Sequence, residues 1–277
     1  MSGRALGSGC KLHPAWLGCV FAGGLAGCSG DVSIQILPEQ GPTRVLSFEG
    51  PYDRVEVPSS ALLDLPQDFT IEAWVLIRTY QGGHGVFNRW VSTSGDIQLT
   101  FGAPEIVAAA ELPAQEPVPS HTLATWLYVS AGIWITAYSS QLPSVAAWHH
   151  LASSYGGGAL KLYVDGSLWA TASGTETIPS PDGTAFIGAT ARSERPIDPG
   201  LGQQWWPPID GWIAEVRISA MDRYPNDFVP ERRLASDPAT IALWHLDEGS
   251  GDMAMDSGPN RLNGAIVHAQ WIPAPAR

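Results

Sequence analysis

The chain has 277 residues, 44% of them hydrophobic, enough to bury a sizeable core, and all-β sandwiches reach this length as one domain. Gly (30), Pro (23) and Trp (12) are abundant, which favours short strands joined by turns over a helical bundle. A net charge of −12 with no basic stripe excludes a phosphate-binding surface, so nucleic acid is not an expected partner.

Arg4 and Lys11 come before or beside an apolar run from Trp16 to Gly24, and Ala26 and Gly27 lead to Cys28. These are the parts of an export signal over residues 1–27. The run falls short of the roughly 20 residues that span a bilayer. Leu25-Ala26-Gly27-Cys28 resembles a bacterial lipobox, whose cysteine takes a diacylglycerol after cleavage. Each buried acyl methylene adds about 0.8 kcal/mol of membrane affinity. Cys10 and Cys19 fall inside the signal, so the mature chain keeps Cys28 alone, without a disulfide or a thiolate metal site. Ser29 after Cys28 resembles an outer-membrane sorting pattern. The expectation is an exported protein held in the bacterial cell envelope, at the outer membrane, by lipid only. Residues 28–43 contain Gly30, Pro38, Gly41 and Pro42 and read as a tether with one short strand pattern, Val32–Leu37. The folded domain is expected over 44–273.

Phe69, Ile71, Ala73, Val75 and Ile77 share one strand face, and Thr70, Glu72, Trp74 and Leu76 share the other. Residues 103–120, rich in Ala, Pro and Glu, read as a loop insertion. The next stretch, 122–138, reads as a hairpin turning at Ala131-Gly132. Leu160, Leu162 and Val164 alternate with polar positions, and Asp165-Gly166 then turns the chain into Leu168-Trp169-Ala170, a strong hairpin signal. A second long loop covers 191–208. Ala214, Val216 and Ile218 alternate with Ile213, Glu215 and Arg217, and one helical turn is expected at Pro230–Ala235. Strand after strand with no long 3.6-residue period predicts an all-β fold, a two-sheet antiparallel β-sandwich.

Six phrases carry a family likeness: VLSFEG (45–50), FTIEAWVLI (69–77), WHHLASSY (148–155), LKLYVDGSLWA (160–170), GWIAEVRIS (211–219), and ALWHLDEGSG with DSGPNRLNG (242–264). They resemble the LamG-like (laminin G, concanavalin A-like lectin/glucanase) jelly roll, a sandwich that usually binds rather than transforms. The last phrase often opens such a domain, whereas here it closes one. That shift keeps the pairing intact if the first and last strands are neighbours in one sheet. No other phrase recurs, so a tandem repeat is excluded.

Many relatives of this sandwich are glycoside hydrolases, which need two carboxylates across a cleft. The E-x-D-x-E strand of laminarinase-like members has no counterpart here. Glu72 and Glu215 are lone acids on their strands, and Asp247-Glu248 point opposite ways. No G-x-S-x-G elbow or H-E-x-x-H motif is present, although a Ser-His-Asp set assembled by the fold stays open at this level. The resemblance makes His149-His150 the start of a core strand, one ring packed and the other outward. The protein is therefore not expected to be an enzyme.

Calcium is the metal expectation, because Ca²⁺ takes six to eight hard oxygens. Asp256, Asn260 and Asn263 lie on a Gly-Pro turn, and the matching loop of the family can hold a structural Ca²⁺. The family's further acid is Ala214 here, which leaves Asp210 as a substitute. The alternative is an Asx-turn in which Asp256 caps its own backbone. Glu215 and Arg217 share a strand face and can pair. Trp205 and Trp206, in a Pro-rich loop, and Trp90 and Trp134 are candidates for stacking on sugar. Trp74, Trp148, Trp212 and Trp244 read as core. The expected role is a binding module for a glycan or a glycosylated surface partner. The alternatives are a structural or adhesion module docking another envelope protein through the 103–120 insertion, or a glycoside hydrolase.

Overall fold

In a computed structural model, residues 42–50, 52–80, 84–91, 94–102, 122–130, 133–174, 178, 183–189 and 209–275 are described. The expected signal, Cys28, the expected tether up to residue 41, the 103–120 insertion, Trp205 and Trp206 lie outside them. The strands in chain order are β1 (Arg44–Phe48), β2 (Arg54–Val57), β3 (Phe69–Ile77), β4 (His84–Val91), β5 (Ser94–Gly102), β6 (Thr122–Ser130), β7 (Ile133–Ser139) and β8 (Trp148–Gly156). They continue as β9 (Ala159–Val164), β10 (Ser167–Ser173), β11 (Ala185–Ile187), β12 (Gly211–Ser219), β13 (Thr240–Trp244), β14 (Met253–Ala254), β15 (Gly264–Val267) and β16 (Gln270–Pro273).

Two antiparallel sheets result. The first runs β10-β9-β8-β3-β12-β1-β16, and the second β14-β15-β2-β11-β4-β5-β6-β7. Strand β12 is long enough to take two partners end to end on one side. Strand β1 pairs with its first residues and β13 with its last. The first and last strands of the domain are paired, Arg44 opposite Pro273 and Ser47 opposite Gln270. That is the neighbour relation on which the displaced closing phrase depends.

The core lies between the sheets. Phe69, Ile71, Ala73, Val75 and Ile77 of β3 all point into it with no exposure, alongside Leu99, Leu123 and Leu127 of the facing sheet. Each large aliphatic or aromatic side chain so buried contributes about 1.5–3 kcal/mol. Trp244 belongs to this core and donates its indole N–H to Leu262 O. Trp74, Trp148 and Trp212 do not, which corrects the expectation. Trp148 and Trp212 are each opposite Leu76, and Leu76 and Trp74 have the wrong parity on β3 for the core. All three are half-buried on the outer face of the first sheet.

A strap of irregular backbone, 220–239, covers part of that outer face. Its anchors include Trp74 donating to Glu231 O (2.9 Å), Arg217 donating to Ala235 O (2.7 Å) and Lys161 paired with Asp222. The helical turn expected at Pro230–Ala235 is not formed. The amides of Leu234 and Ala235 donate instead to the carboxylates of Glu215 and Glu231. The β9–β10 hairpin turns as the Asp-Gly pair predicts, with Asp165 at φ 51° and Gly166 at φ 80°.

Candidate functional site

The outer faces of β3, β8 and β12 assemble a buried polar network around Glu72, which has no solvent exposure. Its carboxylate accepts from Arg217 Nε (2.8 Å) and Tyr224 Oη (2.6 Å) and lies 3.0 Å from His150 Nε2. Burial pushes this carboxyl up, but His150 and Arg217 more than offset it and hold the group at about 2. Burial and the Glu72 charge together raise the Tyr224 phenol. Phe228 stacks on Tyr224 with ring centroids 3.5 Å apart and seals the network from above. A carboxylate with both oxygens engaged and no exposure to solvent holds structure together.

His149 and His150 alternate as strand neighbours must. His150 points to Glu72 on the outer face of the first sheet, while His149 reaches the rim. There, His149 Nδ1 lies 2.7 Å from Asp165 Oδ2 and Nε2 lies 2.9 Å from Ser144 Oγ. The fold has thus assembled a Ser-His-Asp chain that no motif announced. Nε2 also lies 3.1 Å from the carbonyl oxygen of Ser144. The Asp165 carboxylate only accepts, so the neutral ring carries its proton on Nδ1 and leaves Nε2 to accept from the Ser144 hydroxyl. The contact clamps the 140–147 loop to the β9–β10 turn.

The structure keeps Asp256, Asn260 and Asn263 together and separates Asp210 from them. Asp256 Oδ1 accepts from Leu243 N (2.9 Å) and Gly258 N (2.7 Å), and Oδ2 from Leu262 N (2.8 Å). Asn263 Oδ1 accepts from Asp256 N, and Asn260 Nδ2 donates to Ile241 O. Asp210 sits at the other end of β12, where it binds Arg78 and Thr79. Amide hydrogens aimed at the carboxylate repel a cation, so these residues do not fit Ca²⁺ and Asp256 works as the backbone cap. Among the described residues, no three His, Cys, Asp or Glu side chains gather for a metal.

Trp90 and Trp134 lie on β4 and β7, where only their backbone is described. A different pair of aromatics forms an opening. Strand β7 ends the second sheet and β10 ends the first, and at this shared rim a cleft of about 530 Å³ is lined by Tyr138, Ser139, Ser140, Gln141, Leu168 and Trp169. Tyr138 is 43% exposed and Leu168 45%, while Trp169 packs against the core edge. Ring faces, hydroxyls and an amide in one open cleft are the chemistry that grips a sugar. A β-bulge between Leu168 and Ala170 breaks the alternation of β10, so the adjacent Leu168 and Trp169 both line the cleft. Two large apolar residues side by side just after an Asp-Gly turn were the sequence signal for this site.

Residues 49–223, well over half of the chain, match the family model described as "Concanavalin A-like lectin/glucanases superfamily". This chain belongs to that superfamily. Among solved structures, a candidate carbohydrate-binding protein from Bacteroides ovatus ATCC 8483 shares the superfamily fold with a TM-score of 0.57 at 18% identity. The match covers 86% of this chain and 61% of that one, so this chain spans less than two thirds of its length. Domains LG4-5 of the mouse laminin alpha1 chain align with a TM-score of 0.45 at 15% identity, over 69% of this chain and 45% of theirs. No curated protein sequence matches the chain.

Proposed function

We propose that this protein is an exported lipoprotein whose concanavalin A-like domain binds a glycan at the Tyr138–Trp169 cleft without converting it. The cleft carries the reading: it is an open, aromatic-floored site at a rim of the sandwich. Two further observations support it. The buried acids on the outer face are engaged in structure, and the Bacteroides ovatus neighbour is described as a candidate for the same kind of binding. The lipobox-like Leu25–Cys28 would hold the module at the envelope, with residues 28–43 as its tether.

The test is a glycan array followed by calorimetric titration of the purified protein. Tyr138→Ala is expected to weaken the binding of any glycan captured by roughly tenfold, the loss of one stacking face at about 1.4 kcal/mol. Its melting temperature should stay near that of the parent, because the ring is exposed. If no glycan binds but an envelope protein is captured, the module docks protein instead.

A further inference from the structure

We infer that the cleft selects neutral saccharides and discriminates against sialylated or uronic-acid-bearing ones; this rests on the glycan reading of that site. The six lining residues carry no charge, so a sugar carboxylate entering the cleft meets no lining cation to replace its hydration. Carboxylates stand beside it instead. The backbone N–H of Leu168, a lining residue, donates to Asp227 Oδ1 at 2.9 Å, and the Asp227 side chain is solvent-exposed. Asp165 lies three residues before Leu168 in the same hairpin, 49% exposed, with His149 on its other side. Strand β9 does bring a cation to this edge, Lys161, opposite Thr171 of β10. Its ammonium is committed to Asp222 at 2.5 Å and to Tyr224 O at 3.0 Å beneath the strap. Among the described residues, the free charges beside the cleft are therefore carboxylates, in keeping with a chain of net charge −12. Stacking on Tyr138 and Trp169 needs only the C–H face of a pyranose, and Gln141 and the serines offer neutral hydrogen bonds to hydroxyls.

The experiment titrates the purified protein with matched pairs that differ by one acidic sugar: lactose against sialyllactose, and xylotriose against its glucuronosyl derivative. The neutral member of a pair is expected to bind roughly tenfold tighter or more. High salt, which screens the flanking carboxylates, should narrow the gap. Asp227→Asn keeps an acceptor for Leu168 N–H but removes the charge, so the acidic-to-neutral affinity ratio should rise severalfold. An acidic member that binds as well as its neutral partner overturns this inference and leaves the glycan reading standing. A gap unmoved by both salt and Asp227→Asn also overturns it. If neither member of any pair binds, and the array captures nothing, both readings fall.

Discussion

Glu72 is a carboxylate with no solvent around it, tolerated because three side chains from distant parts of the chain donate to it or face it. Removing one partner of a buried charge costs about 3–5 kcal/mol, since the remaining charge stays desolvated. The carboxyl is held at about 2 against an ordinary 4.5. A depressed carboxyl contributes stability that is fully present above its unfolded value and is lost as pH falls through the folded one. The window is therefore pH 4.5 down to 2, and the contribution is on the order of 3 kcal/mol. Glu72→Gln should flatten the acid limb of a stability–pH curve and lower the urea midpoint at neutral pH. A parallel acid limb in the variant would count against Glu72 as its source. In the sequence, Glu72 was legible only as a lone acid on a strand face. Its partners Arg217 and Tyr224 lie 145 and 152 residues away, a pairing that no local pattern reports.

At the scale of elements, hairpin and strap depend on one another. Gly166 has φ 80°, and a Cβ there would meet Phe228 O at 1.8 Å, while Phe228 N donates to Gly166 O. Gly166→Ala should therefore lift the strap off the sheet and destabilise the domain by roughly 2 kcal/mol or more, through both the left-handed backbone and the clash. Hydrogen exchange would show the loss first at the amides of Phe228 and Leu234. If exchange there matches the parent, the strap is held without the hairpin. The strands were readable from alternation: 69–77, 160–164 and the Asp-Gly turn stand where their patterns put them. The strap was not, because side-chain carboxylates satisfy its amides and irregular backbone has no period to detect. The same limit applies to tryptophan. Alternation places Trp74 opposite the core-facing residues of β3, whereas a tryptophan on an alternating strand is more often core.

For the molecule as a whole, composition and the six family phrases were enough to reach a two-sheet sandwich. The cleft was not reachable that way, because its two walls come from the end strands of different sheets. The proposed anchor gives a prediction at this scale. Cys28→Ala should move the exported protein from the membrane to the soluble fraction, and mass spectrometry of the parent should find a diacylglyceryl thioether on Cys28. A variant that stays membrane-bound would remove the lipid from the picture.

The pairing of β1 with both β12 and β16 has a mechanical consequence. Tension drawn through residue 43 runs along β1, which lies between two antiparallel neighbours. Such a load shears all of the flanking hydrogen bonds at once instead of peeling them one by one. Held through the proposed Cys28 anchor and tugged by a ligand in flow, the domain would be loaded along this doubly paired strand.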